Sequence, residues 1–351
     1  MAGRGSPHNI DHRFSGPLVE AVDDGWASEE WESAFNTLAP QTEVREIDAR
    51  SIISYNSSPD VPFGRSINPY QGCEHGCIYC YARPSHAYLE LSPGLDFESK
   101  LFAKRNGADL LRREFAKPAY QPQTIVIGAN TDPYQPIEQR YRLTRQLLEV
   151  MLAHRHPVGL ITKSAMILRD LDLLTELASE GLCQVMVSVT TLNETLRRQL
   201  EPRASTGAGR LKVIEKLASA GVQVGVLAAP MIPRLNEPEL EQIIKSAAEA
   251  GASCADYILL RLPHELAPLF GDWLDTHYPG QKEAILNQLR ASRGGGLNSV
   301  AFGSRMRGEG QFADLLAQRF RLISKRLGLG KRHIQLRQDG FIRPGEQLSL
   351  F

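Results

Sequence analysis

From residue 124 onward, short runs that are apolar throughout alternate with segments in which apolar residues recur every three or four positions. The first pattern suits strands buried on both faces, the second helices with one buried stripe. Thr124 to Ala129, Val158 to Thr162, Gln184 to Thr190, Val222 to Ala228 and Tyr257 to Leu260 read as strands. Arg140 to Ala153, Met166 to Leu177, Arg210 to Ala220 and Glu237 to Ala250 read as the helices between them, the third stopped by Gly221.

Strands separated one by one by helices predict a parallel sheet covered on its outer face, an α/β fold. With one more strand ahead of residue 73 the count reaches about six units, short of the eight that close a barrel. The expectation is a partial (β/α)6 TIM-like barrel over residues 56–293, with an N-terminal extension over 1–55. A small basic helical segment follows over 294–346, opening at Gly294–Gly296, and a tail over 347–351. Chemistry in such folds gathers in the loops after the strands. That prior singles out the loops at Asn130–Tyr134, Thr162–Ser164, Ser188–Thr191 and Ala229–Pro233, besides the loop at residues 68–83.

Composition adds little until it is resolved along the chain. Lys+Arg and Asp+Glu balance at 40 each in 351 residues. Glu20 to Asp48 is acidic, with Arg45 its only base, whereas Gln311 to Arg343 carries eight Lys and Arg against Asp314 and Asp339. The asymmetry is compatible with a polyanionic partner and equally with a solvated helix face. No apolar run reaches bilayer-spanning length, and the first residues lack the apolar core of a secretion signal. Three of the five cysteines crowd into one loop, unlike a disulfide framework, so the expected compartment is a reducing cytoplasm.

That loop runs from Asn68 to Arg83 and holds Cys73, Cys77 and Cys80, with Gly72 and Gly76 beside them. Thiolates suit zinc or iron–sulfur centres. Structural zinc wants four protein ligands, which His75 or His86 would have to complete. Three thiolates match a four-iron cluster with one iron left open. Spacing alone establishes a metal site.

The C-x-x-x-C-x-x-C spacing with Tyr79 before the last cysteine resembles that of the radical S-adenosylmethionine superfamily. From Asn56 to Phe351 the chain resembles bacterial proteins related to spore photoproduct lyase, its uncharacterised relatives rather than the lyase itself. Asp96–Lys100, Thr131–Glu138, Ile161–Ser164, Glu201–Ala204 and Ala229–Asn236 carry the likeness. The resemblance implies a [4Fe-4S] cluster on Cys73, Cys77 and Cys80, fed by a flavodoxin- or ferredoxin-type donor. It implies reductive cleavage of S-adenosylmethionine to a 5′-deoxyadenosyl radical, with DNA or another nucleic acid the leading substrate and a protein or small molecule the alternative. A non-enzymatic iron–sulfur or zinc module recruited to DNA is the third reading. Carried over by position, Tyr79 and Tyr81 contact adenine, Thr131 and Asp132 the cofactor's amino group or ribose, Lys163 its carboxylate and Ser188 its ribose. Glu138, Glu201 and Arg203 become polar candidates at the barrel mouth. The lyase's hydrogen-donating cysteine has no counterpart before the third strand; Cys183 and Cys254 read as core residues, leaving Tyr134 or Tyr257 as donor candidates.

Gln347, Leu348, Ser349, Leu350 and Phe351 close the chain. They resemble the peptide by which bacterial DNA repair proteins dock on the sliding clamp, which makes that clamp an expected partner.

Overall fold

The computed structural model describes residues 3–15, 41–330 and 336–345. Strands are β1 (Glu43–Ile47), β2 (Ile53–Tyr55), β3 (Arg65–Ile67), β4 (Tyr70–Gln71), β5 (Lys100–Lys104), β6 (Ile125–Ile127), β7 (Val158–Thr162), β8 (Cys183–Ser188), β9 (Gln223–Met231) and β10 (Cys254–Leu259). The longer helices are α1 (Gly107–Phe115), α2 (Leu143–Ala153), α3 (Leu171–Ser179), α4 (Gly207–Ser219), α5 (Leu240–Glu249), α6 (Leu266–His277), α7 (Lys282–Ala291) and α8 (Gly310–Arg326). The main sheet has the order β10-β9-β8-β7-β6-β3-β2. Six of its strands, β3 and β6 to β10, are parallel, and β2 pairs antiparallel with β3 at the edge. The fold is therefore α/β with the parallel core the sequence pattern predicts, β3 being the strand ahead of the cysteine loop.

The apolar runs are buried because helices cover one face and side chains fill the other. All three residues of β6 are buried, as are Val185, Val187, Val224 and Val226 of the central strands. Leu147, Leu148, Leu174, Leu177, Ile214, Leu217, Ile243 and Ile244 supply the helix stripes facing them. Helix starts differ from the periodicity where capping decides them. The backbone N–H of Gly209 donates to Thr206 Oγ1 at 3.0 Å, starting α4 three residues earlier than its apolar stripe suggests. Ahead of α3 the chain turns as a 3₁₀ segment, Ala165–Asp170.

Sequence periodicity missed a second sheet, β1-β5-β4, in which β1 runs parallel to β5 from Glu43 opposite Lys100 to Ile47 opposite Lys104. Its strands lie far apart in the chain, and β1 (Glu-Val-Arg-Glu-Ile) shows one weakly apolar face. The region read as an extension thus contributes β1, β2 and a described stretch at residues 3–15. In the segment read as basic, α8 packs on α5 and β10. The tail at 347–351 lies outside the described residues.

The incomplete barrel is bridged on its open side by loops. Asp60, just after β2, accepts from the Gly303 backbone at 2.6 Å and pairs with Arg305 at 2.5 Å. Both partners belong to the loop between α7 and α8, so the two edges of the sheet are tied together.

Inside the barrel, β8, β9 and β10 approach closely at Gly225. A Cβ there would sit 2.3 Å from Cys254 Sγ and 2.7 Å from Met186 Sδ. Gly225→Ala is therefore expected to destabilise the fold by about 1–3 kcal/mol through overpacking, read as a lower midpoint in guanidinium unfolding. An unchanged midpoint would contradict this packing.

Candidate functional site

The cysteine loop is held from behind by a buried charge pair. Arg83 and Glu98 are both fully buried and hydrogen-bonded to each other. Arg83 also donates to the Cys77 carbonyl at 2.8 Å, Pro93 at 3.1 Å and Gly94 at 2.9 Å. Glu98 accepts from the backbones of Gly5 at 2.9 Å and Ser6 at 2.8 Å. The N-terminal stretch is thereby laced across the outside of the loop, and a Cβ on Gly5 would collide with the Gly76 carbonyl. Gly76 itself has φ +68°, a backbone that L side chains rarely adopt, with Glu98 filling the space a Cβ would need. Gln135 adds a clamp, donating to the Gly72 carbonyl at 3.0 Å and accepting from Glu74 N at 2.9 Å.

So restrained, Cys73, Cys77 and Cys80 line one cavity of about 440 Å³. The C-terminal ends of the parallel strands and the loops after them contribute Asn130, Thr131, Asp132, Thr162, Lys163, Ser188, Ala229 and Pro230 to the same cavity. Every cofactor-side candidate read from sequence, Tyr79, Tyr81, Thr131, Asp132, Lys163 and Ser188, lies on its wall. Their side chains differ in freedom. Asp132 accepts from Thr162 Oγ1 at 2.7 Å, Lys163 N at 2.8 Å and Tyr134 N at 2.9 Å, and lies 3.4 Å from His75 Nδ1. Burial pushes its pKa up, but the imidazole and these donors outweigh that and hold it down at about 2. Its oxygens are thus already occupied by the protein. Thr131 Oγ1 is likewise bound to the Tyr70 carbonyl at 2.9 Å, while the Tyr81 hydroxyl donates to Ala129.

Lys163 Nζ reaches Glu201 at 3.0 Å, the Tyr79 hydroxyl at 2.8 Å and Cys77 Sγ at 3.4 Å. Behind it the fully buried Glu201 also takes Arg210, Thr190 and Tyr79. Glu201 therefore anchors the cavity floor instead of facing substrate. Glu138 is corrected in the same way: fully buried, it pairs with Arg169 at 2.7 Å and accepts from Tyr70. Arg203 pairs with Glu74 at 3.3 Å and does not line the cavity. His86 packs edge-on to Phe97 and does not line the cavity, whereas His75 shares it with the thiols. Of the tyrosine donor candidates, Tyr134 is fully buried outside the cavity and Tyr257 lines it.

The thiols suit a cationic cofactor. Burial raises Cys73 well above its usual pKa and Cys77 to about 12, with Lys163 opposing for Cys77. Deprotonating them needs positive charge, which coordinated metal supplies. Among the described residues no three His, Cys, Asp or Glu side chains gather to chelate a single ion. A four-iron cluster asks for something different, one thiolate on each of three irons.

Sequence reasoning missed Arg4 to Ser6, and it missed Arg261, Arg305 and Arg307 on the cavity wall. Only Glu98 carried a signal, within the Asp96–Lys100 stretch. Glu98→Gln leaves Arg83 charged and buried, so a loss of about 3–5 kcal/mol is expected. Lower melting temperature and less iron per chain after anaerobic reconstitution should accompany it. Glu180→Gln, at a partly exposed pair with Arg155, serves as control; equal behaviour of the two variants would refute the role of the buried pair.

Comparison with known proteins agrees with this geometry. The sequence model of the radical SAM superfamily matches residues 67–247. An uncharacterised protein of Mycobacterium bovis is 35% identical over 221 residues, 62% of this chain and 65% of that one. The match thus spans somewhat under two thirds of the relative's length. An uncharacterised protein of Methanocaldococcus jannaschii is 26% identical over 252 residues, 72% of this chain and 90% of its own. Spore photoproduct lyase, solved with dinucleoside spore photoproduct, superposes with TM-score 0.61 at 17% identity, covering 83% of this chain and 82% of the lyase. That likeness shows a shared fold. The chain belongs to the radical SAM superfamily.

Proposed function

We propose that the protein binds a [4Fe-4S] cluster through Cys73, Cys77 and Cys80, binds S-adenosylmethionine beside it, and acts on DNA or another nucleic acid in the manner of a photoproduct lyase. The observation that carries the reading is the convergence of the three thiols and all six cofactor-side candidates on one cavity. When bound, the reduced cluster supplies the electron that splits the sulfonium of S-adenosylmethionine into methionine and a 5′-deoxyadenosyl radical.

The chain's own residues hold and shield this chemistry. Arg83, Glu98 and Gln135 fix the loop, and the Arg4–Ser6 stretch covers its outer side. Lys163 lies beside Cys77, where its positive charge favours the thiolate. It is answered by Glu201, so it serves a cofactor carboxylate only by sharing its donors. Of the six candidates Tyr81 is the exposed one and has ring surface to offer an adenosine, whereas Ser188 lines the cavity from a buried position. Tyr257 lines the cavity and Tyr134 does not, which favours Tyr257 as hydrogen donor to a substrate radical.

The nucleic-acid substrate rests on the likeness to a lyase solved with a dinucleoside photoproduct and on the arginines that line the cavity. Clamp docking through Gln347–Phe351, a flavodoxin- or ferredoxin-type electron donor and a cytoplasmic setting complete the proposal. Among the described residues no helix is long and apolar enough to cross a membrane.

Reconstituted under anaerobic conditions and reduced with dithionite, the protein is expected to form 5′-deoxyadenosine from S-adenosylmethionine. Cys77→Ala should lower that rate by at least about 100-fold, since a ligand to the cluster is lost. Absence of product from the parent protein, or full activity in the variant, would refute the reading.

A further inference from the structure

The charged groups that line the cavity are not all alike. Around its wall, charges meet partners: Asp60 meets Arg305 at 2.5 Å, Asp132 meets His75 at 3.4 Å, Asp256 meets Arg307, and Lys163 meets Glu201 at 3.0 Å. Arg261 breaks the pattern. It follows β10, lines the cavity half-buried, and stacks with its guanidinium 4.9 Å from the Tyr81 ring. Among the described residues it has no hydrogen-bond or ion-pair partner. Neighbouring Arg293, by contrast, is fully engaged, donating to the carbonyls of Leu259 at 2.7 Å, Leu260 at 2.9 Å and Arg305 at 2.9 Å. Burial lowers the pKa of Arg261; Tyr81 and Asp60 oppose the shift, and Arg305 adds to it. A guanidinium held in a half-dry site without an acceptor is disfavoured unless an anion completes it.

What kind of anion follows from the adjoining loop. Val300 and Phe302 stand 82% and 63% exposed on the segment that also supplies Arg305, Met306 and Arg307 to the cavity wall. The Arg305 guanidinium lies 5.0 Å from the Phe302 ring. A small anionic metabolite has no use for an exposed aromatic outside the cavity, whereas a nucleotide chain presents a phosphate and, beside it, a base face.

We propose that Arg261 seats a phosphate of a single-stranded or unstacked nucleic-acid substrate, with Phe302 the platform for an adjacent base. The proposal rests on the nucleic-acid reading above and gives that substrate a docking geometry: one phosphate inside the cavity, flanking bases on the 298–308 loop. The same guanidinium chemistry would also accept the carboxylate of S-adenosylmethionine, so the test separates the two sources.

Using the full-length, cluster-loaded protein without oxygen, fluorescence anisotropy measures binding of a labelled single-stranded deoxyoligonucleotide across a salt series. Arg261→Gln is expected to weaken binding about tenfold and to flatten the log K against log salt slope by about 0.7, one phosphate's share for a single strand. Arg261→Lys should keep the slope. Phe302→Ala should weaken binding about tenfold with the slope unchanged, since stacking releases no counterions. In equilibrium dialysis Arg261→Gln should lose far less affinity for S-adenosylmethionine than for the oligonucleotide, since on the cofactor side it touches only the Tyr81 ring. Parental affinity and slope in Arg261→Gln would overturn the proposal. Weakened S-adenosylmethionine binding with unchanged oligonucleotide binding would assign the guanidinium to the cofactor and overturn it also. Failure of the parent itself to bind any oligonucleotide would instead strike the nucleic-acid reading, and this proposal with it.

Discussion

The Arg83–Glu98 pair is the contact on which the rest of the site depends. Both groups are sealed from water, a position that is strongly unfavourable unless every donor and acceptor is used. Here they are used on the chain segments that must be fixed. The guanidinium holds three carbonyls, including that of Cys77, and the carboxylate holds two backbone N–H groups of the N-terminal stretch. A loop with positive-φ glycines would otherwise sample many conformations. The pair converts it into a cradle set before any cofactor arrives, so little ordering entropy is left to the binding step.

A second buried carboxylate does the equivalent work on the floor. Glu201 gathers Lys163, Arg210, Tyr79 and Thr190, joining the end of β7 to the segment after β8 and to the last turns of the cysteine loop. The outcome is a cavity whose charges are mostly answered within the protein. That makes the exceptions informative: thiols raised in pKa by burial, and an Arg261 without an acceptor among the described residues. The first calls for cationic metal and the second for an anion.

Much of the barrel was legible in the sequence because its signals are local. Parallel strands buried on both faces must be apolar runs, and the helices covering them must carry stripes. Thus β6 to β10 and their helices stood out, within a few residues at their ends. The cysteine loop was legible because its ligands fall within eight positions. The sheet β1-β5-β4 was not, since its β1–β5 pairing joins residues more than fifty apart and β1 has only a weak apolar face. Nor were the roles of Glu138, Glu201 and Glu98, because a carboxylate's burial depends on partners such as Arg169, Arg210 and Arg83 that no periodicity announces. The motif Thr131–Glu138 brings Thr131 and Asp132 to the cavity wall and also ties the fold together. Asp132, Gln135 and Glu138 spend their polar atoms holding neighbouring loops and helices. The arginines after β10 escaped for the same cause as the small sheet: Arg261 and Arg305 meet only in the folded chain.

The central claim is a cluster held by three cysteines with one iron left for S-adenosylmethionine. Electron paramagnetic resonance of the dithionite-reduced, reconstituted protein tests it most directly, together with metal analysis. The account predicts about four iron atoms per chain and a reduced-cluster signal whose shape changes when S-adenosylmethionine is added. A stoichiometric zinc content without iron, or a cluster signal indifferent to S-adenosylmethionine, would contradict it.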